Sequence, residues 1–417
     1  MLIEFRVRNF RSIRDEQVLS MVANGDTELQ DSNTSETGLS DIPRLVRSAA
    51  IYGANASGKS NLIKAMIWMQ DFIKGSIRNE SNEPIDNQPF LLDHTVTNLP
   101  SLFEMTFTLK GIEYRYGFEV TAERVIAEYL LDFANIEPNF WIKREYDSET
   151  ATYDFVTDLG EGEVEELWRK STKHDSLFLS VAVQLNSEKL EPFYEFLAKK
   201  LKIRLRNNMP LSYNRMLLQR QIAHADSRNK IVKFLQAAGI LVEDIQIQKG
   251  KRRVFVTSLE KDSISEDFTE VTEIKFLHQT EKGNASIDLR EESDGTIRLF
   301  SLAGRILDVL ESGNILVHDE LDASLHSHLV EWIIKLFHSP ETNPLGAQLI
   351  FTTHNNSIMT EKIFRRDQIW FVDKDRDEAT KIIPLTDFHK DDHITLPEGY
   401  LEGRYGALPY LSDYKGK

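Results

Sequence analysis

The residues best suited to chemistry in this sequence form a short glycine-rich segment, GANASGKS, at residues 53–60. Its spacing matches G-x-x-x-x-G-K-[ST] in full, a pattern whose small residues let backbone N–H groups close around a phosphate. We predict that Lys59 contacts the β- and γ-phosphates of ATP and that Ser60 offers its hydroxyl to Mg²⁺. The other residues predicted to surround the phosphates are Gly53, Asn55, Ala56, Ser57, Gly58 and Asn61.

A second group consists of two adjacent carboxylates, Asp319 and Glu320, which follow the apolar residues 315–317 and His318. An apolar strand that ends in two carboxylates is typical of the Walker B motif. We predict that Asp319 helps to hold Mg²⁺ through water, and that Glu320 polarises the attacking water as a general base. His318 is predicted to pack in the core. Together with the glycine-rich segment, the carboxylate pair predicts ATP hydrolysis.

Three later features resemble parts of ABC-type ATPases. Residues 292–296, ESDGT, open a predicted helix and resemble the ABC signature, although the usual pattern begins L-S-G-G. The resemblance implies that Ser293 and Gly295 contact the γ-phosphate held by another subunit, since a helix N-terminus attracts anions. Asp322, in LDASLH, resembles the D-loop residue that links two nucleotide sites across a dimer. His354, in FTTHN, resembles the switch histidine that hydrogen-bonds the γ-phosphate and helps to position water.

Two further candidates lie near the glycine-rich segment in the chain. Gln88, in NQPF, falls where a glutamine that contacts Mg²⁺ and the attacking water is expected, although an ordinary polar loop residue fits the position equally well. Arg11, in NFRS, is predicted to reach a nucleotide phosphate from the N-terminal pair of strands.

The ordered set NFRSI, IYGANASGKSNLIKAM, SDGT, VHDELDASLH and FTTHN resembles the ABC-class ATPases of the OLD and SMC-related branch. Within that branch the chain is most similar to the stand-alone AAA-type ATPases typified by RloA and the AbiL ATPase subunit. The C-terminal residues 400–409, YLEGRYGALP, and residues 367–371, DQIWF, match the same proteins. The resemblance covers nearly the whole chain.

This resemblance implies a role in prokaryotic anti-phage defence of the abortive-infection type. It also implies a head-to-tail homodimer or higher oligomer, with each ATP held between one glycine-rich loop and the Ser293 segment of the other subunit. The effector is expected to be a separate protein such as a Toprim-like nuclease, because too few residues follow His354 to form that domain.

The elements that must position these residues can be predicted from periodicity. Residues 47–52 form an apolar strand that leads into the glycine-rich segment, and residues 61–73 have helical spacing. Two alternating runs that flank Lys110 and Gly111 predict a β-hairpin. Residues 190–201 are predicted to form an amphipathic helix, and the polar residues 25–41 a long surface loop.

The last quarter of the chain alternates helical and apolar strand patterns, which predicts a mostly parallel sheet covered by helices. The fold class is therefore expected to be α/β: an ABC-type ATPase core with a mixed central sheet, flanking helices, an antiparallel β lobe and an inserted helical and β region. The predicted domains are residues 1–73 and 291–417 for the two parts of the core, 74–158 for the β-rich lobe and 159–290 for the insertion.

The composition limits the other classes of function. The 417 residues include no Cys, which excludes disulfides and thiolate metal sites. No run approaches the ~20 apolar residues that span a bilayer, and residues 1–11 lack the apolar core of a signal peptide, so we expect a cytoplasmic protein without a membrane partner.

Nucleic acid remains open as a partner. The net charge of −16 argues weakly against a protein that coats DNA, because such binding needs clustered Lys and Arg. Two basic segments, residues 202–206 and 249–253, are either solvated surface or the lining of a groove. The alternative function is a DNA-repair ATPase of the RecF kind, and a third is a binding module without hydrolysis.

Overall fold

The computed structural model describes residues 1–76, 84–135, 137–157, 159–160, 162–205, 221–258, 263–391 and 393–409, with backbone alone for 249–258 and 263–272. The chain divides into two units. The first comprises Met1–Arg206, Val309–Asp322 and Ile333–Lys417, and the second Asn207–Asp308 and Ala323–Trp332. None of the helices in the described ranges has the length and apolar character needed to cross a membrane.

Strands are numbered in chain order through both units. They are β1 (Leu2–Arg8), β2 (Gln17–Ser20), β3 (Thr34–Glu36), β4 (Arg44–Val46), β5 (Ser48–Tyr52), β6 (Ser101–Leu109), β7 (Ile112–Val120), β8 (Val125–Asp132), β9 (Asn139–Asp147), β10 (Thr152–Thr157), β11 (Leu201–Arg204), β12 (Asp244–Ser258), β13 (Ser263–Thr280), β14 (Gly283–Asp288), β15 (Ile315–His318), β16 (Gln348–Thr352), β17 (Ile369–Lys374) and β18 (Thr380–Pro384).

The α-helices are numbered in the same way. They are α1 (Gln30–Asn33), α2 (Lys59–Gly75), α3 (Glu163–Ser171), α4 (Phe178–Gln184), α5 (Glu191–Glu195), α6 (Ala225–Ala237), α7 (Asp294–Ser312), α8 (Ser327–His338) and α9 (Leu396–Leu401).

The first unit contains a seven-stranded antiparallel sheet with the order β10-β9-β8-β7-β6-β1-β2. Strand β1 pairs with β2 on one side and with β6 on the other, so the N-terminal strands share a sheet with the β-rich segment that follows α2. The β6–β7 hairpin turns at Lys110 (φ 53°) and Gly111 (φ 73°), as the sequence predicts. Positive φ at both central residues matches the right-handed twist of the flanking strands.

A six-stranded sheet with the order β11-β15-β16-β5-β17-β18 forms the centre of the same unit. Every neighbouring pair is parallel except β17 and β18. Strands β5, β15 and β16 are buried along their whole length, as expected for parallel strands covered on both faces. The predicted α/β class, with a mixed central sheet and an antiparallel β lobe, is confirmed.

The helix predicted over residues 190–201 is only partly correct. Helix α5 continues as a π-helix, Phe196–Lys200, and the chain then enters β11, which pairs in parallel with β15. The apolar Leu201 and Ile203 alternate with Lys202 and Arg204. A pattern of only four residues is compatible both with a strand and with the end of a helix. Pairing with β15 decides the conformation, and Lys202 and Arg204 of the basic segment 202–206 are therefore part of the central sheet, whereas residue 206 lies outside the described residues.

The prediction of a surface loop over residues 25–41 is wrong for residues 30–36. The segment forms α1 and β3, and Asn33 and Thr34 are buried. The Asn33 amide donates to Ile363 O (2.9 Å) and to Gln368 Oε1 (2.6 Å). A polar residue can be buried when its hydrogen bonds are satisfied, and such partners are invisible in a local pattern.

The second unit has an antiparallel sheet with the order β12-β13-β14. Phe276 on β13 packs edge-to-face against Phe300 on α7, with 5.1 Å between the ring centroids. Ser293 and Gly295 belong to this unit, at the start of α7.

Candidate active site

Residues 53–60 form a tight loop between the buried strand β5 and helix α2. Two of its glycines lie against neighbouring backbone and side chains: a Cβ at Gly53 would be 2.4 Å from Val372 O, and one at Gly58 would be 2.1 Å from Thr380 Oγ1. Gly58 also has a φ of 115°, which L side chains rarely adopt. The helix that follows directs its free N–H groups towards this loop, as a phosphate site requires.

Lys59 is only 6% exposed, and its ammonium group donates to Gly53 O and Ala54 O, each at 2.7 Å. Burial lowers the pKa of Lys59 to about 8, although the carboxylates of Asp319, Glu320 and Asp322 oppose the shift. The side chain therefore remains mostly charged at neutral pH and is held inside the loop by two carbonyl oxygens.

A chain of hydrogen bonds joins Ser60 to the carboxylate of Asp319 and to the backbone N–H of Glu320. Ser60 Oγ donates to Asp319 Oδ2 (2.9 Å), and Thr352 Oγ1 donates to Asp319 Oδ1 (2.7 Å). Thr352 Oγ1 also accepts from Glu320 N (2.7 Å), and Glu320 adopts a left-handed φ of 51°. Thr352, which sequence reasoning missed, thus fixes both acidic residues because β15 and β16 are neighbours.

His354 lies two residues after the carboxyl end of β16. Its backbone N–H donates to Asp322 Oδ2 (3.3 Å). Burial first, and the Lys59 charge second, lower the pKa of His354 below its usual 6.5, in spite of the nearby carboxylates. The imidazole is therefore neutral at pH 7 and can act as a hydrogen-bond donor or acceptor.

These groups line one cavity of about 330 Å³. The predicted residues that it brings together are Asn55, Ala56, Ser57, Gly58, Lys59, Ser60, Asn61, Asp319, Glu320 and His354. Three lining residues were not predicted: Ser12, Lys64 and Lys374. Ser12 is the last residue of the NFRS segment, and Lys64 lies in the helix after the glycine-rich loop, but nothing in the local sequence marks Lys374.

Arg11 and Gln88 do not line the cavity. The Arg11 guanidinium donates to Gln88 Oε1 (2.5 Å), and its backbone N–H donates to Gln88 O (2.7 Å). The two residues thus hold each other, and their contacts with phosphate and Mg²⁺ stay predictions. Ser293 caps helix α7 in the second unit, where its Oγ accepts from Thr296 N (3.1 Å).

Residues 48–360 match a family model with the description "AAA domain, putative AbiEii toxin, Type IV TA system". The chain belongs to this AAA-type ATPase family. No curated protein matches this chain at a significant level.

The solved structures that are similar to this chain include three Smc or SMC head structures. A crystal structure of the SmcHead bound to the C-winged helix domain of ScpA has 14% identity and a TM-score of 0.44, covering 96% of this chain and 99% of that chain. The SMC head domain from Thermotoga maritima has 14% identity and a TM-score of 0.42, covering 92% and 98%. An Smc head with an extended coiled coil, bound to the C-terminal domain of ScpA, from Pyrococcus furiosus, has 15% identity and a TM-score of 0.40, covering 93% and 97%.

The side chains that line the cavity fit a nucleotide with a bound Mg²⁺ ion. The Ser60 hydroxyl and the Asp319 carboxylate are hard oxygen ligands of the kind that Mg²⁺ takes together with phosphate oxygens. Lys59 supplies a buried positive charge beside them. The loop backbone closes tightly enough that the two glycines leave no room for a Cβ.

Proposed function

We propose that this AAA-type ATPase hydrolyses ATP to ADP and phosphate. The observation that carries the proposal is that three distant segments of the sequence line one cavity: the glycine-rich loop with Lys59, the adjacent pair Asp319 and Glu320, and His354. Each side chain supports a part of the reaction. Lys59 offers charge to phosphate oxygens, and Ser60 and Asp319 offer oxygen ligands to Mg²⁺, which would stabilise the charge that develops on the transferred phosphoryl group.

Glu320 is the proposed general base. Its backbone is held by Thr352, which orients the residue at the end of β15, and the carboxylate lines the cavity. His354, neutral at pH 7, is the proposed second contact of the attacking water or the γ-phosphate. In this scheme a water proton passes to Glu320 as the water oxygen attacks the γ-phosphorus. The bond between that phosphorus and the oxygen that bridges it to the β-phosphate breaks, and ADP leaves with the electron pair of that bond.

We further propose that a second copy of the chain completes the nucleotide-binding site. Ser293 and Gly295 lie at the start of a long helix, where Ser293 is exposed and the helix offers free N–H groups. A serine-capped helix N-terminus can receive a γ-phosphate presented by another subunit. Asp322, beside His354, would lie near the same interface.

The proposed biological role is the ATP-dependent subunit of an anti-phage system of the RloA and AbiL kind. The match to a family described as a toxin of a toxin–antitoxin system supports such a role. ATP would favour a closed dimer, and the closed state would activate a separate effector such as a Toprim-like nuclease. ATP can shift that equilibrium only by the difference in its affinity for the two states.

No observation among the described residues favours direct DNA binding. Lys202 and Arg204 lie half-buried in β11, within the central sheet. The other basic segment, residues 249–253, lies outside the side chains that the structure describes.

The test is the mass of the purified protein with and without ATP-Mg²⁺, for wild type, Glu320→Gln and Lys59→Ala, alone and with copurified native partners. We expect Glu320→Gln to hold ATP and form a dimer or larger assembly, and Lys59→Ala to remain without nucleotide. A Glu320→Gln protein that neither retains ATP nor dimerises would overturn the proposal. A monomer that binds duplex DNA only with ATP would favour a repair ATPase instead.

A further inference from the structure

Thr380, the first residue of β18, touches the glycine-rich loop although it lies more than three hundred residues away in the chain. It is fully buried, and its Oγ1 donates to Ser57 O (3.0 Å). Its backbone N–H donates to Ser12 O (2.7 Å). Thr380 thus ties the loop to the turn after β1 through two separate bonds.

The Thr380 hydroxyl is the third group in a directed chain of hydrogen bonds. Asn61 Nδ2 donates to Ser12 Oγ (2.7 Å), and Ser12 Oγ lies 2.7 Å from Thr380 Oγ1. Because the Thr380 proton goes to a carbonyl, which can only accept, the Ser12 hydroxyl donates to Thr380. The relay therefore runs from Asn61 to Ser12, Thr380 and Ser57 O, and bonds in such a chain strengthen one another.

The anchored carbonyl sets the direction of the Gly58 N–H, which belongs to the loop that is proposed to bind phosphate. In a planar trans peptide the C=O of Ser57 and the N–H of Gly58 point in opposite directions. Holding Ser57 O at Thr380 therefore directs Gly58 N–H away from Thr380. Gly58 makes this contact sterically feasible, because a Cβ there would lie 2.1 Å from Thr380 Oγ1.

We propose that Thr380 is a positioning residue for ATP binding, which fixes the Ser57–Gly58 peptide in the orientation that receives phosphate. This inference rests on the proposed ATPase function of the same site. An N–H that contacts phosphate in both the ground state and the transition state lowers KM and leaves kcat nearly unchanged.

The test compares Thr380→Val, which removes the hydroxyl at nearly constant volume, with Thr380→Ser, which keeps it. The control is Thr106→Val, since Thr106 is a buried threonine of β6 whose hydroxyl has no hydrogen-bond partner among the described residues. We expect Thr380→Val to raise the ATP Kd and KM roughly five- to tenfold, the effect of one neutral hydrogen bond, with kcat changed by less than about twofold. Thr380→Ser and Thr106→Val should keep KM within about twofold of wild type.

A purely structural role for Thr380 would lower the thermal midpoint of Thr380→Val and leave the KM of the folded protein unchanged, which would overturn the proposal. An equal rise of KM in Thr380→Ser would also contradict it.

If Thr380→Val cannot be purified, Ser12→Ala tests the same relay and should raise KM about two- to threefold. An unchanged KM would then refute the inference. Failure of the wild type itself to bind ATP would instead refute the proposed function.

Discussion

The two ends of the parallel sheet both carry polar residues, but these residues differ in how fully their hydrogen bonds are satisfied. We call the amino end the place where β5 and β16 begin and the carboxyl end the place where they stop. At the amino end, Gln368 Nε2 donates to Ser48 Oγ (2.8 Å) and to His338 Nε2 (3.2 Å), and its Oε1 accepts from Asn33 Nδ2 (2.6 Å). These four residues are buried, and their bonds close on one another.

At the carboxyl end the polar groups line a cavity. The Lys59 ammonium is held by loop carbonyls, and Ser57, which also lines the cavity, has a buried Oγ without a hydrogen-bond partner among the described residues. Two buried atoms of residues outside the cavity lining, Tyr52 Oη and Asp322 Oδ1, have no such partner either. Buried polar groups are normally paired, so unsatisfied ones are the exception that a function can explain. The comparison teaches that a closed network stabilises the sheet, whereas an open one keeps donors and acceptors for a ligand.

The largest expected effect comes from breaking the chemistry of the carboxyl end. Glu320→Gln should lower kcat by about 10²- to 10⁴-fold, because the proposed general base is lost, while the urea midpoint of unfolding stays near that of wild type. Phosphate release and urea denaturation measure the two quantities. A variant that keeps its kcat would show that Glu320 is not the base.

The converse substitution is at the amino end. Gln368→Leu leaves Asn33, Ser48 and His338 short of partners and should lower the free energy of unfolding by about 3 kcal/mol, with an unchanged KM for ATP in the folded protein. The control is Gln279→Leu at an exposed position, expected to change stability by less than about 0.5 kcal/mol. A large rise in KM for Gln368→Leu would mean that the two ends are coupled.

A pH titration can sharpen the comparison at the amino end. Burial first, and then the charges of Arg47 and Lys335, lower the pKa of His338 from 6.5 to about 3. The unfolded chain therefore binds a proton below pH 6.5 that the folded chain does not. Stability should be full above pH 6.5 and should fall by about 1.4 kcal/mol per pH unit below it, towards pH 3.

Urea denaturation between pH 5 and pH 7 measures this slope, with His338→Gln as the comparison. The variant should be less stable at pH 7 and should lose less stability on acidification than the wild type. Parallel slopes for the two proteins would show that His338 is not buried in its neutral form.

The smallest effect is an alkaline limb at the carboxyl end. Burial lowers the pKa of Lys59 to about 8, so the free protein loses this charge as the pH rises through that value. Since the proposed role of Lys59 in binding phosphate requires its charge, kcat/KM for ATP should fall up to about tenfold per pH unit above pH 8. Lys59→Arg keeps its charge and should lack this limb, whatever its basal activity. An alkaline limb that persists in Lys59→Arg would assign it to another group.

Most of the candidate site could be predicted because its motifs are local. The glycine-rich loop is specified within eight consecutive residues, and Asp319 and Glu320 are neighbours, so spacing alone identifies them. The strands around them are apolar runs bounded by turns, which also made the parallel sheet predictable. The roles assigned to these residues stay predictions until they are measured.

The remainder depends on contacts between distant parts of the chain. Lys374 lines the cavity and Thr380 contacts the glycine-rich loop only because β17 pairs with β5 and β18 pairs with β17. No local pattern marks either residue. Strand β11 was missed for a similar reason, since Leu201 and Ile203 fit two periodicities and only pairing with β15 selects one.

The sequence by itself determined the glycine-rich loop, the carboxylate pair and the α/β class, because each depends on residue types at short, fixed spacings. Only the tertiary structure decided which polar residues are satisfied and which remain open. Ser48 and Ser57 are both buried serines near the ends of β5 and α2, yet one is bonded to Gln368 and the other has an Oγ without a described partner. Hydrogen-bond satisfaction depends on partners brought together by folding, and that information is absent from any local pattern of residues.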